Sequence, residues 1–136
     1  MPELDPLKRE EDRGSIIVVI ATDAPLLPHQ LKRLARRVPI GISRVGGYAG
    51  NSSGDIFIAF STANPGASNI EGYQNLEMIS NEEMSPLFKA TADATEESIL
   101  NALVAAENMT GKNNTKIYAL PEDRLIEILK KYNTIK

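Results

Sequence analysis

Ile16-Ile17-Val18-Val19-Ile20-Ala21 is an unbroken apolar run, nearly all of it β-branched, and it limits the possible folds more than any other segment. β-Branched side chains are stiff at χ1 and suit a pleated surface better than a helix. The run is too short for an ordinary helix and apolar at odd and even positions alike, so it predicts a strand covered on both faces. Ile56-Phe57-Ile58-Ala59-Phe60-Ser61 has the same character after the polar turn Gly50-Asn51-Ser52-Ser53-Gly54-Asp55, and again predicts a two-sided strand.

Between these strands, Pro25 and Pro28 interrupt the extended pattern and a helical period follows from His29. Leu31, Leu34, Ala35 and Val38 fall on one face, while Lys32, Arg33, Arg36 and Arg37 fall on the other and read as a solvated stripe. Pro39 disturbs the helix end, although apolar spacing resumes through Ile42 before Gly46-Gly47 stops it. Residues 62–77 are rich in Asn, Gly, Ser and Pro and predict a long loop of the kind kept for binding or assembly. Ser85-Pro86 opens a long helix expected to run buried to Met109, with Gly111 as terminator. Residues 116–120 predict a short strand, and Pro121-Glu122-Asp123 begins a last helix with Leu125, Ile128 and Leu129 inward. The order suggests helices layered on a sheet, in one α/β domain over residues 15–136 behind a charged arm over 1–14.

Fifteen basic against eighteen acidic side chains leave a formal charge of −3, which argues against a generally basic nucleic-acid binder. Cysteine is absent and His29 is the lone histidine, so thiol chemistry, disulfides and a histidine metal cluster are excluded, and no cofactor is implied. The arm carries eight charges and no apolar core, unlike a secretory signal, and no apolar run approaches the ~20 residues of a membrane helix. A soluble cytoplasmic protein is expected.

Ser15 stands at the mouth of the first strand, directly after Gly14. A hydroxyl on a rigid element beside a permissive glycine could attack the preceding carbonyl, whereas a turn leading into a core strand is the plainer interpretation. Ser53 and Asp55 likewise fit either a turn that caps the second strand or a polar site. Thr22 and Asp23 read as the end of a strand, His29 as a surface residue, and Met78, Met84 and Met109 as packing.

The segment Ser15-Ile-Ile-Val-Val-Ile-Ala-Thr-Asp-Ala-Pro-Leu-Leu-Pro-His-Gln-Leu-Lys-Arg-Leu-Ala-Arg-Arg37 closely resembles the start of the nucleophile-bearing, C-terminal part of the L-aminopeptidase/D-esterase family, which includes the β-aminopeptidases. The resemblance continues through Gly50-Asn-Ser-Ser-Gly-Asp-Ile-Phe-Ile-Ala-Phe-Ser-Thr-Ala-Asn64, Phe88-Lys-Ala-Thr91, Thr95-Glu-Glu-Ser-Ile-Leu-Asn-Ala-Leu-Val-Ala-Ala106 and Ala119-Leu-Pro-Glu-Asp-Arg124. It implies an αββα sandwich of the N-terminal-nucleophile (DmpA) type, in which the precursor cleaves itself between Gly14 and Ser15. The freed serine would then act as nucleophile, with its own α-amine, of unperturbed pKa ~7.7–8.0, as base. Implied substrates are short peptides, amino-acid amides and esters.

Ser53 and Asp55 match positions that the family places beside the nucleophile, where the resemblance implies a catalytic part for both in orienting the serine and its amine, some relatives having glutamate in place of Asp55. The family's upstream half, which supplies oxyanion donors and much of the pocket, has no counterpart in residues 1–14. The resemblance therefore implies an upstream segment or partner subunit; a module without that half is expected to form a homo-oligomer whose own copies cover the apolar sheet left bare. Two further readings compete: a non-catalytic assembly or binding module that keeps the family core, and an acyltransferase, which shares the layout but not these sequence blocks.

Overall fold

The structure is a computed structural model that describes residues 14–135; the arm expected over residues 1–14 lies outside the described residues except for Gly14. Strand β1 spans Ile17–Thr22, and it pairs in parallel with β2, Ile56–Ser61, in the register Ile17↔Ile56 to Thr22↔Ser61. Backbone bonds from Ile56 N–H to the Ile16 carbonyl and from Thr62 N–H to the Thr22 carbonyl extend the ladder at both ends. Parallel neighbours need a crossover, and helices α1, Pro28–Ala35, and α2, Val38–Arg44, lie within it. Pro39, in the first turn of α2, divides what the periodicity reads as one extended helix. Gly46, at φ +97, supplies the left-handed residue that ends α2, as expected of the Gly46-Gly47 pair.

Contacts cluster into two units, residues 1–95 and 96–136. In the first, Leu26, Leu34 and Met84 form a buried core on which Ile20, Leu31, Ala59, Ile79, Leu87 and Phe88 pack. Gln30, fully buried, ties this core together: its Nε2 donates to the Ile79 carbonyl (2.9 Å) and to Asn81 Oδ1 (3.3 Å), and its Oε1 accepts from Leu27 N–H (3.2 Å). These bonds offset the desolvation of a buried amide. Gly41 packs so closely that a Cβ there would lie 2.5 Å from the Ala92 carbonyl oxygen and 2.6 Å from Thr95 Cβ.

Three expectations need correction. The strands are covered on one face only, because successive side chains alternate: Ile20 and Ala59 meet the core, while Ile17, Val19, Ile56, Ile58 and Phe60 remain exposed. Apolar residue type at odd and even positions therefore does not reveal which face the described helices cover. Helix α3, Ser85–Val104, stops short of Met109, and its burial ends at Thr95; Leu100, Leu103 and Val104 are exposed. Its alanines permit close packing without enforcing it. The basic stripe of α1 is only partly solvated, since the Arg33 and Arg37 guanidinium carbons lie 5.0 and 4.1 Å from the Phe88 ring centroid, and Arg33 also donates to Asn81 Oδ1. A planar, weakly hydrated cation stacks on an aromatic face at little desolvation cost.

Residues 62–80 are irregular apart from a 3-10 turn at Pro65–Ser68, as the composition predicts. Asn64 closes this loop, its side chain donating to the Glu77 carbonyl (3.1 Å) and accepting from Glu77 N–H (2.9 Å). Ser80 caps a further 3-10 turn, Asn81–Met84, that runs straight into α3, so the helical path begins before the predicted Ser85.

The second unit holds the two-residue strands β3, Met109–Thr110, and β4, Lys116–Ile117, paired antiparallel, and helix α4, Glu122–Lys131. Strand β4 is shorter than the predicted 116–120. On α4, Leu125 and Leu129 are half-buried as expected, whereas Ile128 is exposed at the margin of its apolar stripe. Asn133, left-handed at φ +56, terminates the helix, with Thr134 N–H returning to the Leu129 carbonyl.

Candidate active site

Ser15 lies two residues before β1, just outside the ladder, with its side chain in the exposed set that continues through Ile17 and Val19. Carrying the parallel register back two positions from Ile17↔Ile56 sets residue 15 beside residue 54. There Gly54 N–H donates to Ser15 Oγ at 2.9 Å. Gly54 is also where a side chain would intrude, since an added Cβ would lie 3.3 Å from the same oxygen. The contact therefore follows from the sheet register, and a side chain at position 54 would ask the hydroxyl to give by a few tenths of an ångström.

Ser53 and Asp55 point the other way. Ser53 Oγ donates to Asp55 Oδ1 at 2.6 Å, and the same carboxylate oxygen accepts from Ile16 N–H at 3.1 Å. Asp55 thus pins the backbone immediately after Ser15, and Ser53 holds the carboxylate in place. Among the described residues neither side chain hydrogen-bonds the Ser15 hydroxyl. The structure brings all three sequence-selected residues to one end of the β1–β2 pair, but joins Ser15 to the others through backbone groups.

Gly14 is exposed, and a Cβ there would meet nothing within 4 Å. The strained geometry expected before the serine turns on the backbone at residue 13, which lies outside the described residues. Left-handed backbone occurs at Ala49, φ +53, in the loop leading to the site. This conformation costs a non-glycine residue about 1–2 kcal/mol.

A cavity of about 430 Å³ adjoins this end of the sheet between α2 and the 47–55 loop, walled by Pro39, Ile42, Tyr48 and Phe57, with Ser53 and Asp55 at its polar side. Tyr48, Ala49 and the Gly54 amide were not singled out in the sequence. A backbone donor leaves no residue-type signal, although the glycine between two polar residues was visible. His29 is exposed on α1, and Thr22 ends β1 with its Oγ1 accepting from Ala24 N–H, both as expected.

The unit's resolved electrostatic perturbation lies on its helices. Hydrogen bonds from Lys89 and then from Arg44, at 2.7 Å, hold the exposed Asp93 carboxyl below its ordinary range.

With this geometry in view, the comparison with known proteins is specific. Residues 3–117 match peptidase family S58. The chain belongs to that family. It is 51% identical over 123 residues to the β-peptidyl aminopeptidase BapA of Sphingosinicella microcystinivorans, covering 90% of this chain and 31% of that protein. Its counterpart from Sphingosinicella xenopeptidilytica is 46% identical over 126 residues, with the same coverage. The chain thus spans about a third of the length of the curated relatives it matches.

Among solved structures, the L-aminopeptidase D-Ala-esterase/amidase of Ochrobactrum anthropi, a prototype serine aminopeptidase with a variant of the Ntn-hydrolase fold, is 48% identical with a TM-score of 0.78 over 88% of this chain and 34% of that one. A Burkholderia β-aminopeptidase is 45% identical with a TM-score of 0.75, covering 86% and 35%. The fold is accordingly the α/β, DmpA-type arrangement implied by the sequence blocks, of which this chain forms the matching third.

Proposed function

We propose that this chain is the nucleophile-bearing part of a serine aminopeptidase that removes N-terminal residues, β-amino residues among them, from short peptides, amides and esters. The observation that carries this reading is the Ser15 hydroxyl, presented at the end of a rigid strand pair and engaged by Gly54 N–H, in a chain of peptidase family S58. Ser15 Oγ first attacks the Gly14 carbonyl carbon; the peptide C–N bond breaks, its nitrogen takes a proton, and water hydrolyses the resulting ester. The freed α-amine then accepts the Ser15 hydroxyl proton as Oγ attacks a substrate carbonyl. The acyl ester forms, the leaving amine departs with a proton, and water releases the acid.

Ser53 and Asp55 are positioning residues in this scheme, since they hold the Ile16 amide and with it the direction of the Ser15 backbone. An upstream family segment or partner subunit completes the site and covers the outer face of the β1–β2 pair. The length of the relatives and the exposed Ile17, Val19, Ile56, Ile58 and Phe60 support that completion, with a homo-oligomer as the assembled form.

The decisive experiment combines intact mass spectrometry with hydrolysis of chromogenic α- and β-aminoacyl amides, with and without the completing segment. Expected are a break before Ser15, turnover with the segment present, and loss of both in Ser15→Ala. An unbroken Gly14-Ser15 bond with no turnover in any pairing would overturn the proposal.

A further inference from the structure

We infer that the Gly54 backbone amide is the positioning group for the Ser15 nucleophile, and that residue 54 must be glycine to leave the serine hydroxyl room to reach it. The inference rests on the aminopeptidase reading above and adds a donor to it. Ser15 Oγ meets Gly54 N–H at 2.9 Å, whereas Ser53 and Asp55 spend their hydrogen bonds on each other and on Ile16 N–H. The group that fixes the hydroxyl is therefore a main-chain donor delivered by the strand register, and the carboxylate works one residue away.

The chemistry follows from which partner takes which role. Because Gly54 donates, Oγ uses one lone pair as acceptor and keeps its own proton free to pass to the Ser15 α-amine. As that proton leaves, negative charge grows on Oγ, and a hydrogen bond accepted by a developing oxyanion strengthens. In the acyl-enzyme the same oxygen is an ester oxygen and a weaker acceptor. When water has attacked and the tetrahedral species collapses, Oγ departs from the acyl carbon, recovers its proton from the ammonium and regains the amide. One donor thus serves nucleophile and leaving group, and pre-sets the rotamer in both directions.

Side-chain volume at position 54 sets the second requirement. A Cβ would lie 3.3 Å from Ser15 Oγ, tight enough to displace a hydroxyl that must keep both its donor and its line of attack. Gly54 has no positive φ, so alanine is conformationally acceptable there and its effect reads this crowding alone.

The test replaces the Gly54 amide by an ester, using glycolate at that position in the complete protein, alongside Gly54→Ala and the parent. The readouts are the rate of self-cleavage by intact mass, the rate of Ser15 labelling by a fluorophosphonate, and the kcat and KM of aminoacyl-amide hydrolysis. For the ester, labelling and kcat should fall together at least tenfold while KM stays within twofold, since the donor acts on the nucleophile and not on substrate binding. Gly54→Ala, which keeps the donor and serves if the ester variant does not fold, should slow labelling at least fivefold. Labelling and kcat within twofold of an active parent in either folded variant would overturn the inference and leave the aminopeptidase reading standing. A parent that neither self-cleaves nor labels would overturn both.

Discussion

On one face of the β1–β2 pair, Ile20 and Ala59 pack against Leu26, Leu34 and Met84; on the other, Ile17, Val19, Ile56, Ile58 and Phe60 stay between 45% and 68% exposed. Residue type does not distinguish the faces, because both are built from large aliphatic and aromatic side chains. What differs is the supply of partners. The crossover that makes the strands parallel carries α1 and α2, and the inner face is where this unit finds its buried core. The outer face is the one onto which Ser15 opens. Stability within the first unit is thus concentrated on one side of the sheet and the proposed chemistry on the other.

Substitutions on the two faces should separate sharply. Leu34→Ala removes a side chain that is 1% exposed at the centre of the core, and a change of this kind costs about 2–5 kcal/mol. Chemical denaturation should register that loss whether or not a covering segment is present; a cost below 1 kcal/mol would break the comparison. Ile58→Thr, on the outer face, should shift the stability of this chain by no more than about 0.5 kcal/mol. With the proposed covering segment added the same change should cost on the order of 1–3 kcal/mol, and equal effects in both settings would mean that this face is never covered. Smallest is Asp93→Asn, away from both faces. Lys89 and Arg44 depress the folded carboxyl below its unfolded value, so the native pair contributes above the unfolded value near 3.9 and loses that contribution as pH falls through the depressed folded one. Parent and variant melting curves should therefore differ slightly at neutral pH, less at high salt, and converge in acid.

The elements that rest on local rules were legible in the sequence. The β2 boundaries, Ile56–Ser61, follow from an apolar run behind a polar turn, and the stop near Gly46 from the breaker pair Gly46-Gly47. Elements that depend on partners were not. An apolar outer face looks the same whether its cover belongs to this unit or comes from elsewhere, and the alanines of α3 are compatible with burial without revealing where it ends. Arg33 and Arg37 have the spacing of a solvated stripe, and only the tertiary placement of Phe88 against their guanidiniums changes that. At the candidate site, Ser15, Ser53 and Asp55 were visible as residue types. The Gly54 donor was not, because a backbone N–H belongs to nearly every residue and acquires a role only through register.

The separation of 39 positions between Ser15 and Gly54 gives this register a consequence in time. During synthesis the serine leaves the ribosome well before its partner, and its hydroxyl stays without that amide until the crossover has folded and the two strands have zipped. On the proposed function, self-cleavage therefore waits for a tertiary event rather than for the presence of the serine. The clock that separates a nascent chain from an active one is strand pairing itself, and variants that slow the crossover should delay maturation even where the finished site is unchanged.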